Sequence, residues 1–163
     1  MSITAPFNET RPAAADAPGR ILDLLTDAYL MEIETVMNYV AASTNLDGFH
    51  GRQVADVLAA EVDDELGHAR RFAERIKELG GTVPGSARLA AGQRSLQPPV
   101  DSADVDAVIA GVLDAEREAV AAYTELARAA DGSDYVTHDL AVEVLADEER
   151  HRRMFEGLLG DHP

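Results

Sequence analysis

The phrase Glu-x-Glu-x-Val-x-x-Tyr occurs twice, as EIETVMNY at 32–39 and as EREAVAAY at 116–123, an offset of 84 residues. Each copy sets a carboxylate on an apolar stripe. Glu32 is flanked by Leu25, Ala28, Val36 and Tyr39, and Glu116 by Ile109, Val112, Val120 and Tyr123. Two more stripes repeat the pattern: Glu65 sits among Leu58, Val62 and Phe72, and Glu148 among Ala141, Val144, Leu145 and Phe155. Recurrence at three, four and seven residues marks the buried face of an α-helix. Four helices therefore each carry one acid on the side that faces the core. Any fold open to this chain has to bring the four acids together and compensate them.

The rest of the chain divides around these stripes. Residues 1–19 are Ala- and Pro-rich without periodicity and read as a flexible arm. The periodic segments predict α1 over about 20–45, α2 over about 52–79, α3 from an N-cap at Ser102 to about 130, and α4 over about 133–159. Residues 20–159 thus form one helical domain, followed by a short tail at 160–163. Short turns, LDGFHG and DGS, join α1 to α2 and α3 to α4, so each pair is an antiparallel hairpin. Between α2 and α3 lies GGTVPGSARLAAGQRSLQPPVD, far longer than a turn. A helix of about 27 residues is about 40 Å long, and about 20 extended residues span about 65 Å. The segment can therefore run the length of a bundle. The predicted fold is all-α, an antiparallel four-helix bundle of up, down, down, up direction with one long crossover between the second and third helices. No strand pattern competes with it.

In an antiparallel hairpin, residues equidistant from the turn share a height. The midpoint of Glu32 and Glu65 falls beside Asp47 and Gly48, and that of Glu116 and Glu148 falls on Gly132. Both pairs then face each other about 25 Å from their own turns. The segments DELGH (64–68) and DEERH (147–151) add His68 and His151 three residues after Glu65 and Glu148. That spacing puts carboxylate and imidazole on one face, where both can bind a single ion. Four buried carboxylates repel one another, and an unpaired buried charge costs several kcal/mol. Arg52, Arg70, Arg71, Arg150 and Arg152 do not fall on all four stripes at that height. Two divalent cations would bring the cluster near neutrality.

Composition narrows the chemistry. There is no cysteine, so a metal must be held by oxygen and nitrogen. Thirty acidic against 14 basic residues give a net charge of -16, which repels nucleic acid and anionic membranes and attracts cations. The first residues show neither a basic start nor a hydrophobic stretch, and no apolar run approaches the roughly 20 residues of a membrane span. The expectation is a cytoplasmic protein with no nucleic-acid and no membrane partner.

This constellation resembles the ferritin-like superfamily of di-iron carboxylate proteins, in which two helices give one Glu each and two give Glu-x-x-His. The resemblance covers about residues 20–159. It is strongest to bacterioferritin and to Dps-like ferritins with a bacterioferritin-type site inside one subunit. It implies Glu32 and His68 as terminal ligands of one iron, Glu116 and His151 as those of the other, and Glu65 and Glu148 as bridges. Tyr39 is similar to a tyrosine beside that centre, where it would hydrogen-bond or donate an electron. The cofactor implied is two Fe, although Mn or Zn would bind the same donors. The function implied is that of a ferroxidase and iron store, with Fe(II) and O2 or H2O2 as substrates and Fe(III) held in a protein shell. Leu66 stands where bacterioferritin has its haem-binding Met, and Ala60 where it has an inner-surface His, which implies a centre without haem. Twelve residues follow His151, too few for the fifth helix of bacterioferritin, and Lys77 is the sole lysine, so the Lys-rich tail of DNA-binding Dps proteins has no counterpart. The first feature points away from a 24-subunit cage and toward a homo-oligomeric, dodecameric shell or something smaller, and the second away from DNA binding. The alternative is a di-metal oxidase without storage, or a rubrerythrin-like peroxide reductase, although the Cys-held iron of rubrerythrins has no ligands here.

Other residues carry weaker signals. Glu61, one turn before Glu65, fits either a path for incoming iron or a partly exposed ion pair. Glu34, Glu118 and Glu149 fall off the buried stripes and read as solvated. His50, His138 and His162 read as bystanders, Tyr123 as packing against α4, and Met31, Met37 and Met154 as gap-filling side chains.

Overall fold

The computed structural model describes residues 17–160. In chain order it contains α1 (Ala17–Asn45), α2 (Gly48–Glu78), a short 3-10 turn (Ser86–Arg88), α3 (Val105–Ala130) and α4 (Tyr135–Gly160). No strand occurs among the described residues. The four helices run up, down, down, up, with the crossover between α2 and α3. None is long and apolar enough to cross a membrane. Residues 1–16, where the sequence predicts most of an N-terminal arm, lie outside the described residues, as does His162.

The helix ends differ from the sequence expectation for identifiable reasons. α1 begins at Ala17, three residues early. The Gly-rich GFHG belongs to α2, leaving Leu46 and Asp47 as the whole turn. Gly48 makes this tight reversal with φ of 81°, a conformation costly for other residues. Asp104, not Ser102, caps α3: its carboxylate accepts the Ala107 N–H at 3.0 Å, while the Ser102 carbonyl accepts the Asp47 N–H at 2.8 Å. The end of the crossover is thereby tied to the α1–α2 turn.

The core has two parts. One surrounds Tyr39, Leu58, Ile109, Val112 and Phe155; the other surrounds Leu25, Phe72, Tyr123, Leu126 and Val144. Each helix passes from one part to the other at its carboxylate: α1 between Leu25 and Tyr39, α2 between Leu58 and Phe72, α3 between Ile109 and Tyr123, and α4 between Val144 and Phe155. The acids thus form a polar layer sandwiched between apolar ones.

The crossover is strapped to α1 by a residue that sequence reasoning placed in solvent. Glu34 is buried, and its carboxylate accepts the backbone N–H groups of Gly92, at 2.8 and 3.0 Å, and of Gln93, at 3.0 Å. Gln93 then donates to Thr35 at 2.6 Å and accepts from Asn38 at 3.0 Å. Leu96, 1% exposed, enters the first part of the core, and Gly111 of α3 lies against Ser95 and Leu96. These bonds satisfy backbone groups of a segment that has no regular structure to do so.

At the other end, Asp134 caps α4. It accepts from the Thr137 N–H at 3.1 Å and the Thr137 hydroxyl at 2.6 Å, and Arg75 of α2 donates to both of its oxygens at 2.7 and 2.9 Å. Burial pushes its carboxyl up, but Thr137 and Arg75 outweigh this and hold it below its ordinary value of 3.8. A folded value below the unfolded one means stabilisation that is present above the unfolded value and lost as pH falls through the folded one. Asp134→Ala is expected to cost about 1–2 kcal/mol at neutral pH. Urea denaturation should show that difference shrinking as the pH falls from the unfolded value through the folded one.

Candidate metal centre

The six predicted donors meet in the polar layer. Glu32 of α1, Glu65 and His68 of α2, Glu116 of α3, and Glu148 and His151 of α4 are all at most 7% exposed. Their donor atoms fall in two groups, each within a span of 4.8 Å: Glu32, Glu65, His68 and Glu148 in one, and Glu65, Glu116, Glu148 and His151 in the other. Glu65 and Glu148 belong to both. His68 Nδ1 lies 2.9 Å from Glu148 and 3.6 Å from Glu32 and from Glu65. His151 Nδ1 lies 3.3 Å from Glu65 and 3.4 Å from Glu148. Among the described residues no Arg or Lys pairs with these four carboxylates. Arg71, Arg150 and Arg152 pair instead with Glu143, Asp147 and Glu156.

Two buried tyrosines cross the bundle to the outer acids. The Tyr39 hydroxyl donates to Glu116 at 2.6 Å, and that of Tyr123 donates to Glu32. Tyr123 was read from sequence as packing; its ring lies 5.2 Å from Phe72 of α2, and its hydroxyl serves α1. The signal was present, since Tyr123 repeats Tyr39 in the duplicated phrase. Register within each hairpin does not say which tyrosine reaches which hairpin's acid. The second nitrogens of the histidines also have carboxylate neighbours: His68 Nε2 hydrogen-bonds Asp147 at 3.2 Å, and His151 Nε2 lies 2.9 Å from Glu61. Glu118 is exposed and Glu149 half-buried. His50, against Phe49, and His138, beside Asp139, lie outside the cluster.

Crowding of charge in a dry layer sets the protonation pattern. Burial, then the neighbouring carboxylates of Glu65 and Glu148, pushes Glu32 well above the ordinary range and Glu116 up to about 9. Burial alone would lower the histidines, but the carboxylates of Glu148 and Glu65 beside them outweigh it and raise His68 to about 10 and His151 to about 11. Burial raises Glu65, and the two imidazoles reverse this and hold it at about 2. Burial, followed by the adjoining acids, pushes both tyrosines well above 10.

Satisfaction of the layer is incomplete without a further partner. Glu65 Oε1, His68 Nδ1, Glu116 Oε2, Glu148 Oε1 and His151 Nδ1 are buried and have no hydrogen-bond partner, because the short contacts among them are not aligned as hydrogen bonds. Orphaned polar atoms are uncommon inside proteins and costly. Here they converge, all are oxygen or imidazole nitrogen, and a pair of divalent cations fits them.

The sequence model of the ferritin-like domain family matches residues 22–163. The DNA protection during starvation protein of Pyrococcus furiosus is 30% identical over 146 residues, covering 88% of this chain and 79% of its own length. The bacterioferritin of Desulfovibrio desulfuricans is 28% identical over 149 residues, covering 90% of this chain and 78% of that protein. The bacterioferritin-related dodecameric thioferritin of Bacteroides fragilis superposes with a TM-score of 0.79 at 27% identity, covering 88% of this chain and 86% of the other. With its helices in this order and its acids in this layer, the chain belongs to the ferritin-like domain family.

Proposed function

We propose that this protein is a ferroxidase that takes Fe(II) as substrate at a di-metal centre inside one chain and passes Fe(III) to a store within a homo-oligomeric shell. The observation that carries the reading is the sharing of Glu65 and Glu148 between two groups of buried donors. Glu32 and His68 would hold one ion, Glu116 and His151 the other, with the shared pair between them. Two Fe(II) supply two electrons and become two Fe(III). O2 takes these with two protons to give H2O2, or H2O2 takes them with two protons to give two waters.

The chain's own residues fix the geometry. Tyr123 and Tyr39 orient the outer carboxylates through their hydroxyls, and the two halves of the core keep water out of the layer. Hard carboxylates with imidazole suit iron, and Mn or Zn would occupy the same donors. A net charge of -16 favours accumulation of cations at the protein surface and opposes binding to nucleic acid. The shell is proposed by likeness to the dodecameric relative.

Loading must displace protons, because ligands bind deprotonated. His68, His151 and Glu116, with values of about 10, 11 and 9, hold protons at pH 7 that the ions replace. Calorimetry of anaerobic Fe(II) binding in two buffers of different ionisation enthalpy should therefore report release of at least three protons per chain, since Glu32 too is pushed well above its ordinary range. Apparent affinity should rise with pH, since protons compete for the same atoms. Binding without proton release would remove this charge assignment.

The function itself is tested by anaerobic Fe(II) titration followed by O2, with particle mass measured on the same sample. The expected result is two Fe(II) per chain before O2, rapid oxidation on its addition, and continued uptake into a large particle. A small particle that stops at two would leave a di-metal oxidase, and no binding would end the proposal.

A further inference from the structure

O2 takes four electrons on its way to water, and two Fe(II) supply two of them. The other two must come from the chain, or the reaction stops at H2O2. Side chains that give up a single electron readily are those of Trp, Tyr and Cys, and the sequence holds no Trp, no Cys and four Tyr. Two of the four border the polar layer. Tyr29 is half-buried and Tyr135 exposed, and among the described residues the only phenols hydrogen-bonded to the acids of the layer are Tyr39 and Tyr123.

Each of these two phenols is placed to lose a proton together with an electron. A phenol, with an ordinary pKa of about 10, keeps its proton at neutral pH. Its one-electron oxidation expels that proton and needs a base within reach. The Tyr39 hydroxyl donates to Glu116 Oε1 at 2.6 Å, and the Tyr123 hydroxyl donates to Glu32 Oε1. Hydrogen bonds to a carboxylate are short and strong, so the proton already lies along its path. Both side chains are 0% exposed. Tyr39 packs 6.3 Å from the ring of Phe155 and Tyr123 5.2 Å from that of Phe72, so an oxidised ring has apolar neighbours and no solvent. The two tyrosines occupy the same place in the duplicated phrase, seven residues after Glu32 and Glu116. Each serves the acid of the other hairpin, which leaves one phenol behind the outer carboxylate of each cation position.

We propose that Tyr123 is an electron donor equivalent to Tyr39, and that the pair raises the reduction of O2 within one chain from two electrons to four. This rests on the ferroxidase reading above. Two Fe(II), two phenols, one O2 and two protons from solvent give two Fe(III), two neutral tyrosyl radicals and two waters, with the O–O bond broken. The phenol protons pass to Glu116 and Glu32 and complete the four that the two waters need. Each radical then returns to a phenol by taking one electron from a further Fe(II) and one proton. Over the whole cycle four Fe(II) and four protons consume one O2, and no H2O2 is set free beside stored iron.

The test mixes O2 with protein loaded anaerobically at two Fe(II) per chain and freezes the mixture during the reaction. Electron paramagnetic resonance should report about two tyrosyl spins per chain, with lines that narrow when the protein carries ring-deuterated tyrosine, and little free H2O2. With excess Fe(II), about four should be oxidised per O2. Tyr123→Phe should lower the spin count to about one or less, lower the ratio to about two Fe(II) per O2 and release H2O2. Tyr135→Phe should change none of these. A phenol that served only to orient Glu32 would, on removal, slow the oxidation but leave product and spin count as in the parent. The proposal is overturned by a parent protein that gives one tyrosyl spin or none, or by a Tyr123→Phe variant that keeps the parent's ratio of Fe(II) to O2. Fe(II) that binds but is left unoxidised by O2 overturns it too, whereas failure to bind Fe(II) sinks the ferroxidase reading itself.

Discussion

Glu65→Ala is expected to abolish rapid Fe(II) oxidation and to remove most of the thermal stabilisation that metal gives the parent protein. Glu65 belongs to both groups of donors, so its loss weakens both positions at once. A ligand at about a thousand times its dissociation constant stabilises a folded protein by about 4 kcal/mol per site. For a chain of this size that is roughly 8–16 °C in melting temperature for each site filled. Anaerobic melting with and without Zn(II) reads this without any redox step. The parent should show a shift of that order, and Glu65→Ala a small fraction of it. An undiminished shift in the variant would show that the shared carboxylate is not a ligand.

The second large effect lies outside the polar layer, where α3 meets the crossover. At Gly111→Ala the new Cβ would fall 2.3 Å from the Ser95 carbonyl oxygen, 2.8 Å from its carbon and 3.1 Å from Leu96 Cα. These are backbone atoms, so no rotamer change relieves the overlap. The crossover must move, yet Leu96 anchors it in the core and Glu34 holds its amides. A loss of about 2–3 kcal/mol is expected, together with faster hydrogen exchange at the Gly92 and Gln93 amides. Parent-like stability and exchange in the variant would mean that the crossover does not rest on α3 at this point.

The bundle and its polar layer could be read from sequence for a mechanical reason. An α-helix is a rigid ruler, so stripes such as Leu25, Glu32 and Tyr39 fix a face, and distances from two short turns fix a height. The same ruler fails where backbone groups, not side chains, are the partners. Glu34 lies off the apolar stripe, and only the path of the crossover shows that two amides cover it. That segment has no periodicity, and nothing in its Gly- and Pro-rich sequence says which helix it follows. Ser102 was a reasonable cap by type, but its carbonyl was already engaged by the opposite turn. The crossing of Tyr123 to Glu32 depends on how one hairpin docks on the other, which in-hairpin register leaves open.

The duplicated hairpin has a consequence for how such a centre can change over time. Each half, α1 with α2 or α3 with α4, carries one Glu and one Glu-x-x-His, which is half of the donor set. Two separate copies of one hairpin could assemble the same layer, but every substitution would then appear on both sides. Joining the copies by the crossover removes that constraint. Only in a fused chain can Arg150 arise without a twin at Gly67, or Glu61 without one at Val144, so that the surroundings of the two histidines can differ.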